Sequence, residues 1–278
     1  MANFAAIQMA SGPNVDANLS EALRLIKDAA KEGAELIVLP ENFAHMGMED
    51  KDIFTIAEDE NHPGQIFNFL SNTAKKLGVW LLGGTVPIKS STEDKIISAA
   101  ILFNADGEQV GRYDKIHLFD VDLSEASGSY NESAFTQAGN KLVVVDSPFG
   151  KLGLGICYDI RFPEMFRRME KQGMQILLLP SSFTAITGKA HWEILNRSRA
   201  IENLCYVVAS AQGGFHVNGR ETHGDSMIVN PWGQIIEHLP KGSGYIIADL
   251  DLKQLNKTRK NFPVLEHRKL FCNFSEIR

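Results

Sequence analysis

A chain of 278 residues with 44% hydrophobic content is long enough to bury a large core, and one domain spanning 1–278 is expected rather than two. A net charge of −6, with 22% of residues charged, suits a soluble protein and argues against nucleic acid as a partner. The three cysteines, Cys157, Cys205 and Cys272, lie far apart with no C-x-x-C pair, so neither a disulfide framework nor a zinc site is indicated, and a reducing cytoplasm fits best.

The first ten residues, MANFAAIQMA, lack a basic segment leading into an apolar stretch, so no signal peptide is expected. No run of about 18 apolar residues occurs, so no membrane span is expected either. Residues 4–10 read as a strand. Leu19, Ala22, Leu23, Ile26, Ala29 and Ala30 recur at helical spacing and predict an amphipathic helix over 16–32. AELIVLP (34–40) reads as a short strand buried on both faces. A helix over 65–77 and a strand over 78–87 follow. Strands at 96–104 and 109–118 flank the turn ADGE and predict a hairpin. Residues 119–140 are polar with little periodicity and read as one long loop, a kind of segment that is often functional.

The second half repeats this grammar. Strands are expected at 141–146 and 151–157, then a helix over 163–173 and a strand over 174–180 that mirrors AELIVLP. A helix over 189–203, strands at 204–212, 226–230, 234–238 and 245–249, and a helix from about 251 complete the chain. Strand–helix units in this number mean an α/β protein. Several strands also meet through short turns, so the sheets should be mixed, and two of them face to face with helices outside would satisfy both patterns.

Active sites of α/β folds gather in loops at the carboxyl ends of strands. Glu41 follows LIVLP, Cys157 ends LGLGI, and SSFTAITG (181–188) follows ILLLP; Lys115 lies late in the 109–118 strand. Each has a plain alternative. Cys157 reads equally as a nucleophile and as a packed core thiol. A free thiol near pKa ~8.5 is only a few per cent thiolate at neutral pH, so a nucleophile would need a base or a cation beside it. Glu41 could cap a turn, Lys115 could be solvated on an amphipathic strand, and Glu132 could be an exposed acid. His117 could be structural or could form a Cys–His pair. Cys205, inside LCYVVASA, reads as core. No G-x-S-x-G elbow and no phosphate loop occur, and GLG at 153–155 lacks a third glycine for a dinucleotide.

Taken together, LPENF with Glu41, GRYDKIHLFD with Lys115 and GICYDIRFPE with Cys157 resemble the three signatures of the nitrilase superfamily of carbon–nitrogen hydrolases. The resemblance covers nearly the whole chain. It implies a four-layer αββα sandwich, with two mixed β-sheets and helices outside, in agreement with the reading above. It also implies a cofactor-free, metal-free amidase in which Cys157 is the nucleophile, Glu41 the general base and Lys115 the oxyanion partner. Glu132, in YNESAF, matches the second glutamate that holds the lysine and orients substrate. The backbone N–H of Tyr158 would be a second oxyanion donor, and Phe183 and Thr187 would form the pocket wall. Arg161 could bind a substrate carboxylate, although a structural ion pair with a nearby acid is the favoured expectation. His191 and Trp192, read as structural first, would begin a helix that in this superfamily commonly packs across a dimer interface, so a homodimer or a higher homo-oligomer is implied.

SSFTAITGKAHWEILNRSRAIENLCYVVASAQGGFH (181–216) with DSMIVNPWG (225–233) is further similar to the branch containing deaminated-glutathione amidases. The related ω-amidases, which take 2-oxo acid monoamides, are similar through TG-x-AHWE. Nitrilase or N-carbamoyl hydrolase action is the more distant alternative. One position departs from the branch: Asp225 stands where histidine is usual.

Overall fold

Alternation along the first strand dictates the first two layers. In the computed structural model, which describes residues 2–123 and 128–270, β1 (Ala2–Gln8) turns Phe4 and Ala6 to one side and Ala5 and Ile7 to the other, all fully buried. A strand apolar on both faces must be covered on both. α1 (Val15–Lys31), capped where the Asn14 side chain accepts the Ala17 N–H, packs Leu19, Ala22, Leu25 and Ile26 on the Ala5 and Ile7 side. β2 (Leu36–Val38) and α2 (Gln65–Leu77) follow, and α2 adds Ile66, Leu70 and Ala74 to the same layer before ending at left-handed Gly78. β3 (Trp80–Lys89), β4 (Ile96–Phe103) and β5 (Gln109–Asp114) continue the sheet.

The predicted loop over 119–140 is corrected. It holds a small antiparallel pair, β6 (Asp120–Leu123) with β7 (Gly128–Asn131), and a 3₁₀ turn over Glu132–Ala134. Neither short strand is buried, so no apolar period marked them. β8 (Val144–Ser147) and β9 (Gly150–Leu154) then open the second sheet. α3 (Pro163–Lys171), β10 (Ile176–Ser181), α4 (Ala185–Asn203) and β11 (Tyr206–Ala211) follow. α4 begins four residues before the predicted start, because the Thr184 hydroxyl accepts the Thr187 N–H as its N-cap. An unpredicted pair, β12 (Gly213–Phe215) with β13 (Glu221–His223), precedes β14 (Ser226–Val229), β15 (Ile235–Leu239), β16 (Gly244–Leu250) and α5 (Leu252–Asn261).

The two large sheets have orders β16-β1-β2-β3-β4-β5 and β15-β14-β11-β10-β9-β8. Each has three parallel strands at its centre and antiparallel strands outside, so both are mixed. Their inner faces share one core, where Phe4, Val38 and Leu102 meet Leu154, Leu178 and Val208. Phe166 of α3 and Trp192 of α4 cover the far side of the second sheet. The layers are therefore αββα, as expected. This stacking brings the ends of β2 and β10 over one another, and the candidate site lies there. No helix among the described residues is long and apolar enough to cross a membrane.

Candidate active site

Glu41 stands three residues beyond β2, where the chain is held from both sides. The Asn42 N–H donates to Thr85 Oγ1 at 2.8 Å, and Gln212, reaching from the other sheet, donates from Nε2 to the Glu41 carbonyl at 3.0 Å. Gly84 lets the strands approach this closely: a Cβ there would lie 1.7 Å from the Pro40 carbonyl oxygen. The Glu41 side chain is buried, and its Oε1 accepts from Lys115 Nζ at 2.8 Å.

Lys115 sits one residue past the end of β5, not within the strand as predicted. Its Nζ also meets Glu132 at 3.0 Å (Oε1) and 2.8 Å (Oε2), so one buried ammonium bridges two carboxylates. Burial opposes that charge, but Glu132 and Glu41 outweigh it, and the lysine is held well above its ordinary range and stays protonated. Burial also raises Glu132, against the pull of Lys115. Glu132 Oε2 accepts the Phe119 N–H at 2.7 Å, which fixes the carboxylate in place.

Cys157 does not end a strand. β9 stops at Leu154, and Cys157 opens a 3₁₀ turn over Cys157–Arg161 with φ +45°, a left-handed conformation rare for a residue with a side chain. Asp159, wholly buried, holds this turn. Its Oδ2 accepts the Ile156 N–H and the Tyr113 hydroxyl, both at 2.8 Å, and its Oδ1 accepts the His117 N–H at 3.2 Å. One carboxylate thus ties the cysteine turn to the segment that carries Lys115. The Cys157 Sγ accepts the Ser182 N–H, just past β10, at 3.4 Å. Burial first, and then the negative charge of the Glu41 carboxylate, push the thiol well above its ordinary range. The resting sulfur is a neutral thiol facing a base.

All eight residues singled out in the sequence line one cleft: Glu41, Lys115, Glu132 and Cys157 at its floor, with Tyr158, Arg161, Phe183 and Thr187 on its wall. One of the expectations for these neighbours fails. Arg161 makes no ion pair among the described residues; its guanidinium lies 5.7 Å from the Tyr158 ring and 5.2 Å from the Phe183 ring, with Nη1 3.2 Å from His191 Nδ1. Its charge therefore faces the cleft without a carboxylate. His117 is structural, the first of its two readings, and does not pair with Cys157. Its Nδ1 lies 2.7 Å from Asp159 Oδ1, and its ring stacks on Phe162 with centroids 3.8 Å apart. His191 and Trp192 lie in the second turn of α4, not at its start. Asp225 is outside the cleft lining. Its carbonyl accepts from Trp192 Nε1 at 2.7 Å, and its carboxylate pairs with His238 at 2.9 Å. Cys272 lies outside the described residues.

Sequence reasoning missed Asp159, Gln212, His45 and Arg220. Asp159 had a readable signal, an acid two residues after the cysteine where an apolar run meets a cluster of charges; the other three are brought to this region only by the fold. No cluster of three or more His, Cys, Asp or Glu among the described residues has the arrangement of a metal site.

Comparisons with known proteins bear on the family and the fold. Residues 3–260 match the family described as carbon–nitrogen hydrolase. A deaminated glutathione amidase of Synechocystis is 42% identical, over 95% of this chain and 97% of its own. The human deaminated glutathione amidase is 38% identical, over 95% of this chain and 81% of its own. A Saccharomyces cerevisiae member of branch 10 of the nitrilase superfamily superposes with a TM-score of 0.86 at 33% identity, covering 97% of both chains. The NitFhit protein of C. elegans superposes with a TM-score of 0.89 at 35% identity, covering 97% of this chain and 66% of that one. The chain belongs to the carbon–nitrogen hydrolase family, and it is an amidase of the nitrilase superfamily.

Proposed function

We propose that the chain, working as one domain over 1–278, hydrolyses a small ω-amide through a thioester on Cys157, with deaminated glutathione the preferred substrate. The observation that carries the reading is the Lys115 ammonium, bridged between Glu41 and Glu132 in an open cleft that the neutral Cys157 thiol also lines. Glu41 takes the Cys157 proton as sulfur attacks the amide carbon. The oxyanion that forms is met by Lys115 and by the Tyr158 N–H, and one such donor is worth roughly 3 kcal/mol in acyl transfer. The C–N bond then breaks, the leaving ammonia or amine takes the proton from Glu41, and the acyl group stays on sulfur. Glu41 next removes a proton from water as it attacks the thioester. The C–S bond breaks, the acid leaves, and sulfur recovers its proton.

Glu132 holds Lys115 in register and is a positioning residue in this scheme. Arg161, charged and without a carboxylate partner, suits an acyl group that ends in a carboxylate, with Phe183 and Thr187 bounding it. Deaminated glutathione fits, because it joins a 2-oxo diacid to a dipeptide and carries a carboxylate at each end. The relatives of that name, 38–42% identical, support this preference. The working molecule is read as a homodimer, supported by Ile194 and Ile201 exposed on α4 near exposed Trp232. The cytoplasm, where the thiol stays reduced, is its proposed location.

The test is product release over a panel of amides. Deaminated glutathione should be cleaved with the highest kcat/KM, ahead of 2-oxo acid monoamides, and a Cys157 thioester should be trapped by rapid acid quench and mass spectrometry. Faster turnover of the monoamides would shift the assignment to an ω-amidase, and turnover with no thioester would end the covalent scheme.

A further inference from the structure

The proposed function uses one end of the cleft. The other end is built from a different part of the chain. The turn between β12 and β13 leans on the 45–50 segment: Asn218 Nδ2 donates to the Gly47 carbonyl at 2.7 Å, and Arg220 pairs with Asp50. Arg220 also lines the cleft, with its guanidinium 5.6 Å from the Tyr130 ring centroid. Tyr130 packs on Phe119 at 5.1 Å, Phe119 on Tyr158 at 5.0 Å, and Tyr158 lies under Arg161 at 5.7 Å. A shelf of three rings therefore runs along the cleft with an arginine over each end.

His45 stands at the Arg220 end. It is only 7% exposed and lines the cleft, yet its ring has no hydrogen-bond partner among the described residues. Its Cε1 crowds Gly47, where a Cβ would lie 2.9 Å away. Burial holds the imidazole below its ordinary range, so at neutral pH it offers one N–H donor and one acceptor to whatever enters. Its ring nitrogens are unpartnered but not sealed from solvent, so they are open to a ligand that enters the cleft. The Arg220–Asp50 pair is exposed by 41% and 49%, and such pairs are weak in water, so a ligand carboxylate can take the place of Asp50 at little cost.

We propose that Arg220, with His45 beside it, forms a second carboxylate subsite that binds the acidic terminus of the substrate's leaving amine, and that the enzyme thereby selects amides charged at both ends. This rests on the amidase reading above. The polarity follows from connectivity. Arg161 is on the same turn as the nucleophile, whose sulfur keeps the acyl group. Arg220 is on a separate hairpin at the far end of the shelf, so it serves the part that departs. A peptide-like amine ending in a free carboxylate matches a guanidinium in charge and geometry.

The experiment compares two substrates that differ in one group: deaminated glutathione, and its analogue whose glycine terminus is a carboxamide. The full-length wild type should prefer the carboxylate about ten- to a hundredfold in kcat/KM, mostly through KM, as expected for a charge-assisted contact. Arg220→Gln should bring that ratio to within about twofold of unity. His45→Asn should lower it part of the way, and Asp50→Asn, which removes the competing carboxylate, should preserve or raise it. Melting curves establish that each variant is folded. A wild-type ratio near one, or an Arg220→Gln variant that keeps the wild-type ratio, overturns the subsite and leaves the amidase reading standing. A wild type that cleaves neither compound overturns both.

Discussion

Cys157 and Cys205 are two buried thiols of one sheet layer, and burial raises both. Cys205, beside α4 and just before β11, is fully enclosed, and its thiol is pushed up to about 12; its contact is the Arg199 carbonyl at 3.7 Å. Cys157 is 8% exposed, opens into the cleft, and faces Glu41 with Lys115 behind it. Neither is a thiolate at rest. The difference between an inert and a reactive cysteine here is therefore not its charge. It is a carboxylate placed to remove the proton during attack, a fixed cation for the oxyanion, and a path for the substrate.

The largest test of that contrast removes each sulfur in turn. Cys157→Ala should lower turnover by roughly a thousandfold or more while the protein remains folded. Cys205→Ala should leave kcat within about twofold, because its sulfur touches nothing in the cleft. Steady-state rates beside melting curves separate the two, and a Cys205 variant as inactive as the Cys157 variant would refute the distinction. Iodoacetamide followed by peptide mapping should label Cys157 in the native protein and Cys205 only after unfolding.

A smaller effect comes from the base. Glu41→Gln keeps the shape and leaves Lys115 paired with Glu132, but it cannot accept a proton. Turnover should fall about 10²- to 10⁴-fold. His117→Ala should keep substantial activity, since that imidazole is turned to Asp159 and stacked on Phe162. A pattern in which the histidine variant is dead and the Glu41 variant active would restore a Cys–His scheme. Next in size is Asp159→Asn, whose amide would confront two of the donors the carboxylate now accepts. We expect a kcat about tenfold lower and a stability loss of about 1–3 kcal/mol by denaturant titration. An unchanged kcat would mean that the cysteine turn keeps its left-handed bend without this clamp.

The sequence made some of this contrast readable and concealed the rest. Strand ends made Glu41, Lys115 and Cys157 candidates, each with a plain alternative, and only the three motifs LPENF, GRYDKIHLFD and GICYDIRFPE taken together resolved their roles. The two faces of β1 and β2 were equally plain, since both are apolar. The environments were not visible. Nothing in LCYVVASA or GICYDIRFPE states which sulfur meets a carboxylate from 116 residues earlier; that depends on two sheets stacking so that β2 and β10 end together. The ion pair expected for Arg161 failed for the same reason, because the neighbours that decide it are the rings of Tyr158 and Phe183 and the imidazole of His191. β12 and β13 escaped because strands of three residues are too short to leave a periodic pattern.

The smallest effect isolates Cys205 through its proton. Its ordinary value of 9.0 becomes about 12 in the folded chain, so between those limits the folded state holds a proton that the unfolded chain has released. A raised value means that the contribution is complete below pH 9 and is lost as pH climbs toward 12. The wild type should thus lose about 1 kcal/mol by pH 10 from this thiol alone. Cys205→Ala lacks the group. At pH 8 the variant should be less stable than wild type by about 1–2 kcal/mol, the cost of the vacated space. That gap should narrow between pH 8.5 and 10.5, since Cys157 titrates alike in both proteins and cancels in the difference. Urea titrations of the pair across this range measure it. A gap that stays constant would mean that the Cys205 thiol is solvated in the folded protein, and the two cysteines would then differ less in burial than the packing around β11 implies.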